Sequence, residues 1–389
     1  MEQKKLSGGQ FGILTFVMMM APIVHAVPTR IIDARRASWL LPLAAVLPLS
    51  ILLFFLFRCL SRMPADSGLG DVYHLAFGSR WGKVCCGLSA MWTVMIMVVD
   101  LRFYAERYVS AVYPEAGKLV FYLAMAVLQL WIVREDLNCL LRAGKVFFWV
   151  VILTLAAVLL LAVEKIQIYN LWPVTDTSWR EAGLGSLRLS TTLSMAVPAG
   201  FLLGTVEWKT RKNGAVWWVA ALTSAAMMIA VSVLGVFGPE LSQRLQVPFF
   251  TLAKEVSVTG AMERLESIIS AMWMMTDTAL MGVLAFSAEQ ALRQVAGETK
   301  RPEWVRRILI LVLVAACCVL PKSAFDMDAG YQAIGMPLNI YALKGSGHAL
   351  RRICSAALPT KIRPKWLTLA AGPGTAPESW RTATPRPMC

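Results

Sequence analysis

Apolar residues gather into long, nearly charge-free runs separated by short charged loops, and the runs are of roughly membrane-spanning length. In the first half they extend over Phe11–Val27, Trp39–Phe57, Val84–Val99, Leu119–Val133 and Val146–Val163, which fits five helices. In the second half they cover Leu189–Val206, Gly214–Phe237, Ser267–Ala288 around one Asp, Ile308–Pro321 and, weakly, Ala329–Leu343. The pattern predicts an all-α, polytopic membrane protein of about ten transmembrane helices, with one domain over residues 1–343 and a tail over 344–389. The first run follows only ten residues and meets His25, Pro28 and Arg30 where a signal peptide would show small cleavage-site residues, so a retained helix is expected.

Composition agrees. Of 389 residues, 57% are hydrophobic and 16% charged, against about a quarter charged in soluble domains, which argues against a soluble enzyme. The formal charge of +14 is concentrated at one end, because the last 46 residues hold 8 Lys and Arg against the single acid Glu378. The rest is spread over loops, where it orients the chain in an anionic bilayer; no RNA- or DNA-binding motif is present, and a nucleic-acid partner is not expected. With the amino terminus inside, the inner segments ahead of the tail carry 17 Lys and Arg, more than the outer loops, and ten spans also place the basic tail inside.

Cys59, Cys85, Cys86, Cys139, Cys317, Cys318, Cys354 and Cys389 form no Cys-x-x-Cys pair, so they read as packing residues. The methionine clusters read as soft packing. Trp39, Trp81, Tyr108, Trp131, Tyr169, Trp172, Trp217, Trp218 and Trp304, near run ends, read as interfacial anchors. No metal site, cofactor or enzyme signature is expected; His25, His74 and His348 are scattered, and Glu263-Arg264-Leu265-Glu266 mixes signs on one turn.

Inside a bilayer the informative residues are broken helices and buried charges. Met20-Ala21-Pro22-Ile23 puts a proline in mid-helix, and the sixth run carries Ser194-Met195-Ala196-Val197-Pro198-Ala199-Gly200. Each reads either as a packed kink or as a discontinuity that holds a ligand's polar group. Their separation by five spans is what two five-helix halves in an inverted repeat would produce. Asp100, with Arg102 and Glu106, closes the third run, where interfacial charge is unremarkable. Asp277, between Thr276 and Thr278, lies eleven residues into a 22-residue run, roughly 15 Å from either end at 1.5 Å per residue. It reads as part of a ligand, proton or water pathway, or as a protonated interhelical hydrogen-bonding group.

The segment Pro248-Phe-Phe-Thr-Leu-Ala-Lys-Glu-Val-Ser-Val-Thr-Gly-Ala-Met-Glu263-Arg264-Leu265-Glu266, followed by Trp273, resembles the endospore germination permease family, the integral-membrane B subunits of nutrient germinant receptors within the amino acid/polyamine/organocation transporter superfamily. Ser7-Gly-Gly-Gln10, Arg62-Met-Pro64, Gly78-Ser-Arg-Trp-Gly82-Lys83, Arg102 with Glu106, and Asn170-Leu-Trp-Pro173 support it, over roughly residues 5 to 325.

The resemblance implies a LeuT-like five-plus-five inverted repeat with helices 1 and 6 broken, and a pocket for a small nutrient such as an amino acid formed by helices 1, 3, 6 and 8. Carried onto this chain, the pocket would fall at Met20, Ala21, Pro22 and Ile23, at Met97 and Asp100 within Met97 to Leu101, at Met195, Pro198, Ala199 and Gly200, and at Trp273, Thr276 and Asp277. It also implies the inner membrane of a spore, and a complex with an A-type subunit and a C-type lipoprotein subunit. Two departures stand out: the family's Asp-Ala-Trp at the second span is Ala37-Ser38-Trp39 here, and residues 345–389 form a Pro- and Arg-rich stretch with no apolar run long enough to cross. The expectation is a truncated tenth helix and a disordered or aberrant tail, the alternative a basic tail that binds anionic lipid or a partner. Three functions follow: a germinant sensor, a proton- or ion-coupled amino acid transporter, and a non-functional or structural subunit.

Overall fold

The computed structural model of the chain describes residues 6–32, 67–111, 113, 115–135, 137–172, 189, 192, 194–207, 214–242, 244–245, 247–257, 265–296 and 303–319. The second and tenth expected spans, the Ala37-Ser38-Trp39 departure, Glu263-Arg264 and the 344–389 tail lie outside the described residues.

The described chain is almost wholly helical. The first span is α1 (Gly8–Ile32) and the third belongs to α2 (Leu69–Ala111); α3 (Lys118–Arg134) and α4 (Leu137–Val163) carry the fourth and fifth. The sixth is a 3₁₀ stretch, Ser194–Thr205. Next come α5 (Gly214–Ser242), a short α6 (Pro248–Ser257), α7 (Leu265–Ala296) and α8 (Glu303–Val319). The two-residue strands β1 (Leu6–Ser7) and β2 (Val206–Glu207) pair in parallel, Leu6 with Val206 and Ser7 with Glu207, joining the entrance of α1 to the exit of the sixth span.

Among the described residues five helices are long and apolar enough to cross a membrane, within α1, α2, α4, α5 and α7, and three shorter apolar segments accompany them, Lys118–Ile132, Met195–Thr205 and Arg307–Val319. Their polarity is arranged inside out relative to a soluble domain. On α4, Val146, Trp149, Leu153 and Leu160 recur at helical spacing and are all more than 60% exposed, while Thr154 on the opposite side is buried. Thr93, Asp100, Arg102, Arg107, Gln129, Asp277 and Glu289 are likewise buried. Such an apolar exterior would aggregate in water, whereas a bilayer accommodates it.

α1 is the central element: Phe16 to Ile23 are all buried, and the helix packs most extensively on α5, then on α7 and α4. Gly12 permits the α1–α5 approach, since a Cβ there would lie 2.0 Å from Nε1 of Trp218. The expected break at Met20-Ala21-Pro22-Ile23 is absent; α1 runs unbroken with Pro22 and Pro28 inside it. A proline denies its N–H to the carbonyl one turn back, and here close packing on three sides holds the helix together regardless. The sixth span does depart from α-helix, because Pro198 sits within 12 residues of 3₁₀ geometry, far beyond the 3–4 residues at which such runs usually stop.

The third span is longer than its hydropathy run. At 43 residues, α2 would measure about 65 Å if straight. It is divided at Gly78, where φ is 77° and ψ 173°, a region open essentially to glycine alone. Beyond the run's apparent end the helix continues through Asp100, Arg102 and Arg107 to Ala111, and all three charges are buried. Asp100 and Arg102 are thus covered by neighbouring helices rather than standing exposed at a helix end. Gly238, with φ 69° and ψ 171°, makes a matching turn at the end of α5. Asn170 reaches the same turn and donates from Nδ2 to the Gly235 carbonyl at 3.0 Å.

Leu69, Tyr73, Cys86, Ala90, Phe201 and Ala291 form a smaller apolar cluster at the start of α2, where burial pushes the Tyr73 hydroxyl up to about 12. Among the expected interfacial anchors, Trp81, Trp131, Tyr169, Trp172 and Trp217 are exposed, in keeping with that role. Tyr108 is buried and does not anchor. Cys86 and Cys317 are buried, Cys85 and Cys139 partly so and Cys318 exposed, and the five are free thiols.

Candidate functional site

The helical period places Asp100, Tyr104, Arg107 and Tyr108 on one side of α2, at i, i+4, i+7 and i+8. That side meets α7, the partner with which α2 packs most extensively. From α7 comes Asp277, fully buried. A single guanidinium nitrogen, Nη2 of Arg107, donates to both carboxylate oxygens of Asp277, at 2.8 Å each. Arg107 Nε donates to the Phe103 carbonyl one turn back at 3.2 Å, which fixes the side chain against its own helix. The resulting ion pair lies in the apolar interior, where attraction between unit charges is far stronger than in water and loss of one partner is correspondingly costly.

Aromatic rings enclose it. The Arg107 guanidinium carbon lies 5.6 Å from the centroid of Trp273, within cation–π range, and Trp273 packs on Phe250 of α6 at 5.0 Å. Tyr104 and Tyr108 are 4.8 Å apart, and Tyr108 contacts Phe121 of α3 at 5.5 Å. The Tyr108 hydroxyl donates to the Ser270 carbonyl, tying α2 to α7 a second time. From α3, Gln129 Nε2 donates to the Thr278 carbonyl at 3.2 Å. Thr276 is turned back on its own helix, donating to the Trp273 carbonyl at 2.9 Å.

Among the described residues, four buried polar atoms in this region have no hydrogen-bond partner: Asp100 Oδ2, Trp273 Nε1, Thr278 Oγ1 and Gln129 Oε1. Each such atom costs about 1–3 kcal/mol when left unsatisfied, so four together are an unusual concentration for a packed interior. On another side of α2, Arg102 donates from Nη2 to the Cys317 carbonyl of α8 at 2.9 Å, and Lys118 pairs with Glu106 at 2.8 Å.

The sequence-predicted residues fall on four elements. Met20, Ala21, Pro22 and Ile23 are buried in α1, Met97 and Asp100 in α2, Met195, Pro198 and Ala199 in the 3₁₀ stretch, and Trp273, Thr276 and Asp277 in α7. Gly200 is partly exposed, and a Cβ there would lie 3.3 Å from Leu69 rather than near the ion pair. The 3₁₀ stretch packs against α7, α2 and α1, and α7 touches all the others. Met20, Met97, Met195 and Trp273 thus share one continuous apolar core. Sequence reading passed over Arg107. Its signal was the spacing to Asp100, two turns along a helix that the charges themselves seemed to terminate.

A bundle of apolar-surfaced helices with its charges buried inside defines an integral membrane protein. Residues 5–325 match the spore germination protein family, and the chain belongs to it. The chain is similar to YfkT of Bacillus subtilis (strain 168), named as a candidate spore germination protein, with 22% identity over 260 residues that cover 64% of this chain and 68% of that one. It is also similar to spore germination protein KB of the same strain, with 20% identity over 276 residues covering 68% and 72% respectively.

Proposed function

We propose that this protein is the membrane subunit of a spore nutrient receptor. It binds a small polar nutrient such as an amino acid among α1, α2, the 3₁₀ stretch and α7, and it triggers germination with A-type and C-type partner subunits in the inner membrane of the spore. The observation that carries the site is the group of four unpartnered buried polar atoms around the Arg107–Asp277 pair. They offer two kinds of chemistry in one apolar setting, acceptors at Asp100 and Gln129 and a donor at Trp273. Binding signals only if the nutrient prefers one of two conformations, and the 3₁₀ stretch is the segment suited to differ between them.

The same reading takes the helices as a LeuT-like five-plus-five repeat. The joining of the α1 entrance to the exit of the sixth span supports it, as does the close packing of the third span on the eighth. Deleting the gene and restoring it intact or as Asp277→Ala, then following ion release and swelling of spores across amino acids and sugars, tests the function. Deletion should abolish the response to one nutrient, and Asp277→Ala should raise the concentration it needs; an unchanged response to every nutrient after deletion refutes the proposal. Buried carboxylates also favour a second reading, a proton- or ion-coupled amino acid transporter. Uptake of the labelled nutrient into vesicles carrying the protein separates the two, since a sensor accumulates none.

A further inference from the structure

The face that α2 turns toward α7 holds two buried carboxylates and one guanidinium. Arg107 is committed to Asp277, whose two oxygens both accept from Nη2. Asp100 lies within electrostatic reach of both, yet its Oδ2 has no hydrogen-bond partner among the described residues and its side chain is more than nine-tenths buried. Among the described residues, counting charges on this face leaves one negative charge uncompensated.

The charged and titratable groups on neighbouring described elements do not remove that surplus. Arg102, two residues on and so about 200° around the helix, is directed to the Cys317 carbonyl of α8, and Glu106 is paired with Lys118. Lys254 of α6 lies over the Phe250 ring at 4.8 Å, beyond Trp273. On the same face stand the phenols of Tyr104 and Tyr108, neutral groups, and His25 of α1 packs against Phe103 at 4.8 Å.

We propose that Asp100 is the proton-binding site of this protein: one exchangeable proton resides on its carboxyl group, while Asp277 stays ionised against Arg107. An isolated carboxylate in an apolar interior sheds its charge by taking up a proton, and the geometry gives that proton to the carboxylate without an arginine. The assignment moves the protonic role from Asp277, where the sequence places it, to its neighbour on the other helix. It holds whether the protein senses a nutrient or transports one.

The test is infrared difference spectroscopy of the purified full chain in lipid nanodiscs at neutral pH, reading the protonated-carboxyl C=O band and its shift in D₂O. Asp100→Asn should abolish one carboxyl's worth of this band. Asp277→Asn should abolish it as well, because Arg107 then becomes the counter-ion of Asp100. Arg107→Gln should double it, since both carboxyls then need protons. Persistence of the full band in Asp100→Asn overturns the proposal, and so does its persistence in Asp277→Asn should the first variant fail to fold. A wild-type band that is absent overturns it too.

Discussion

Replacing Arg107 by Met leaves Asp277 fully buried with no donor for either carboxylate oxygen. Breaking a buried pair from one side costs about 3–5 kcal/mol, and the enclosure of this one by Trp273, Tyr104 and Tyr108 argues for about 4, a factor of roughly 10³ in the folding equilibrium. Asp277→Leu should cost less, about 2–3 kcal/mol, because Arg107 can turn to Asp100. The double variant Arg107→Met/Asp277→Leu removes both charges and fills the space with apolar atoms, so it should lie within about 1 kcal/mol of the parent or above it. The assay is unfolding of the purified protein in mixed micelles by increasing denaturing detergent, with the four proteins closing a double-mutant cycle. A coupling of about 2 kcal/mol or more is expected; a double variant whose loss equals the sum of the two single losses would refute the claim that these residues stabilise one another.

Three other outcomes follow. Gly78→Ala should lower stability by about 1–3 kcal/mol through backbone strain, since φ is +77° and a Cβ there meets nothing within 4 Å; a melting temperature equal to the parent's would contradict this. Gly12→Val should separate α1 from α5, with a loss of about 1–3 kcal/mol that a second change, Trp218→Ala, partly restores, because the obstructing atoms belong to that indole; melting curves of the single and double variants check the rescue. Tyr108→Phe should cost about 1 kcal/mol, the net worth of one hydrogen bond, and speed amide exchange near Ser270, whose carbonyl it releases; unaltered exchange there would show that the hydroxyl does not tie the helices.

Sequence pattern located the described spans because a run of apolar residues long enough to cross a bilayer admits few other folds. It singled out Asp277 for a similar reason: a carboxylate far from both ends of such a run has no route to water. It failed at the third span, where hydropathy falls at Asp100 while the helix goes on to Ala111. Charge within a window resembles a loop, and only a partner on a different helix, 170 residues away, makes that charge internal. Proline gave a divided answer. Pro198 lies in a stretch that abandons α geometry, whereas Pro22 lies in one that keeps it. Nothing local distinguishes them; the difference is in the surroundings, α1 being clasped by α4, α5 and α7.

The pairing of Leu6 with Val206 sets a clock on assembly. Two hundred residues separate the partners, 206 minus 6, and a ribosome adding 5–20 residues each second needs roughly 10–40 s to cover that distance. For that interval α1 faces lipid without α5 and α7, the neighbours that will bury it, because both are encoded after Val206. The element that ends at the centre of the bundle is thus the one that waits longest for its company, and the small parallel pair at its entrance forms only when more than half of the chain has been made.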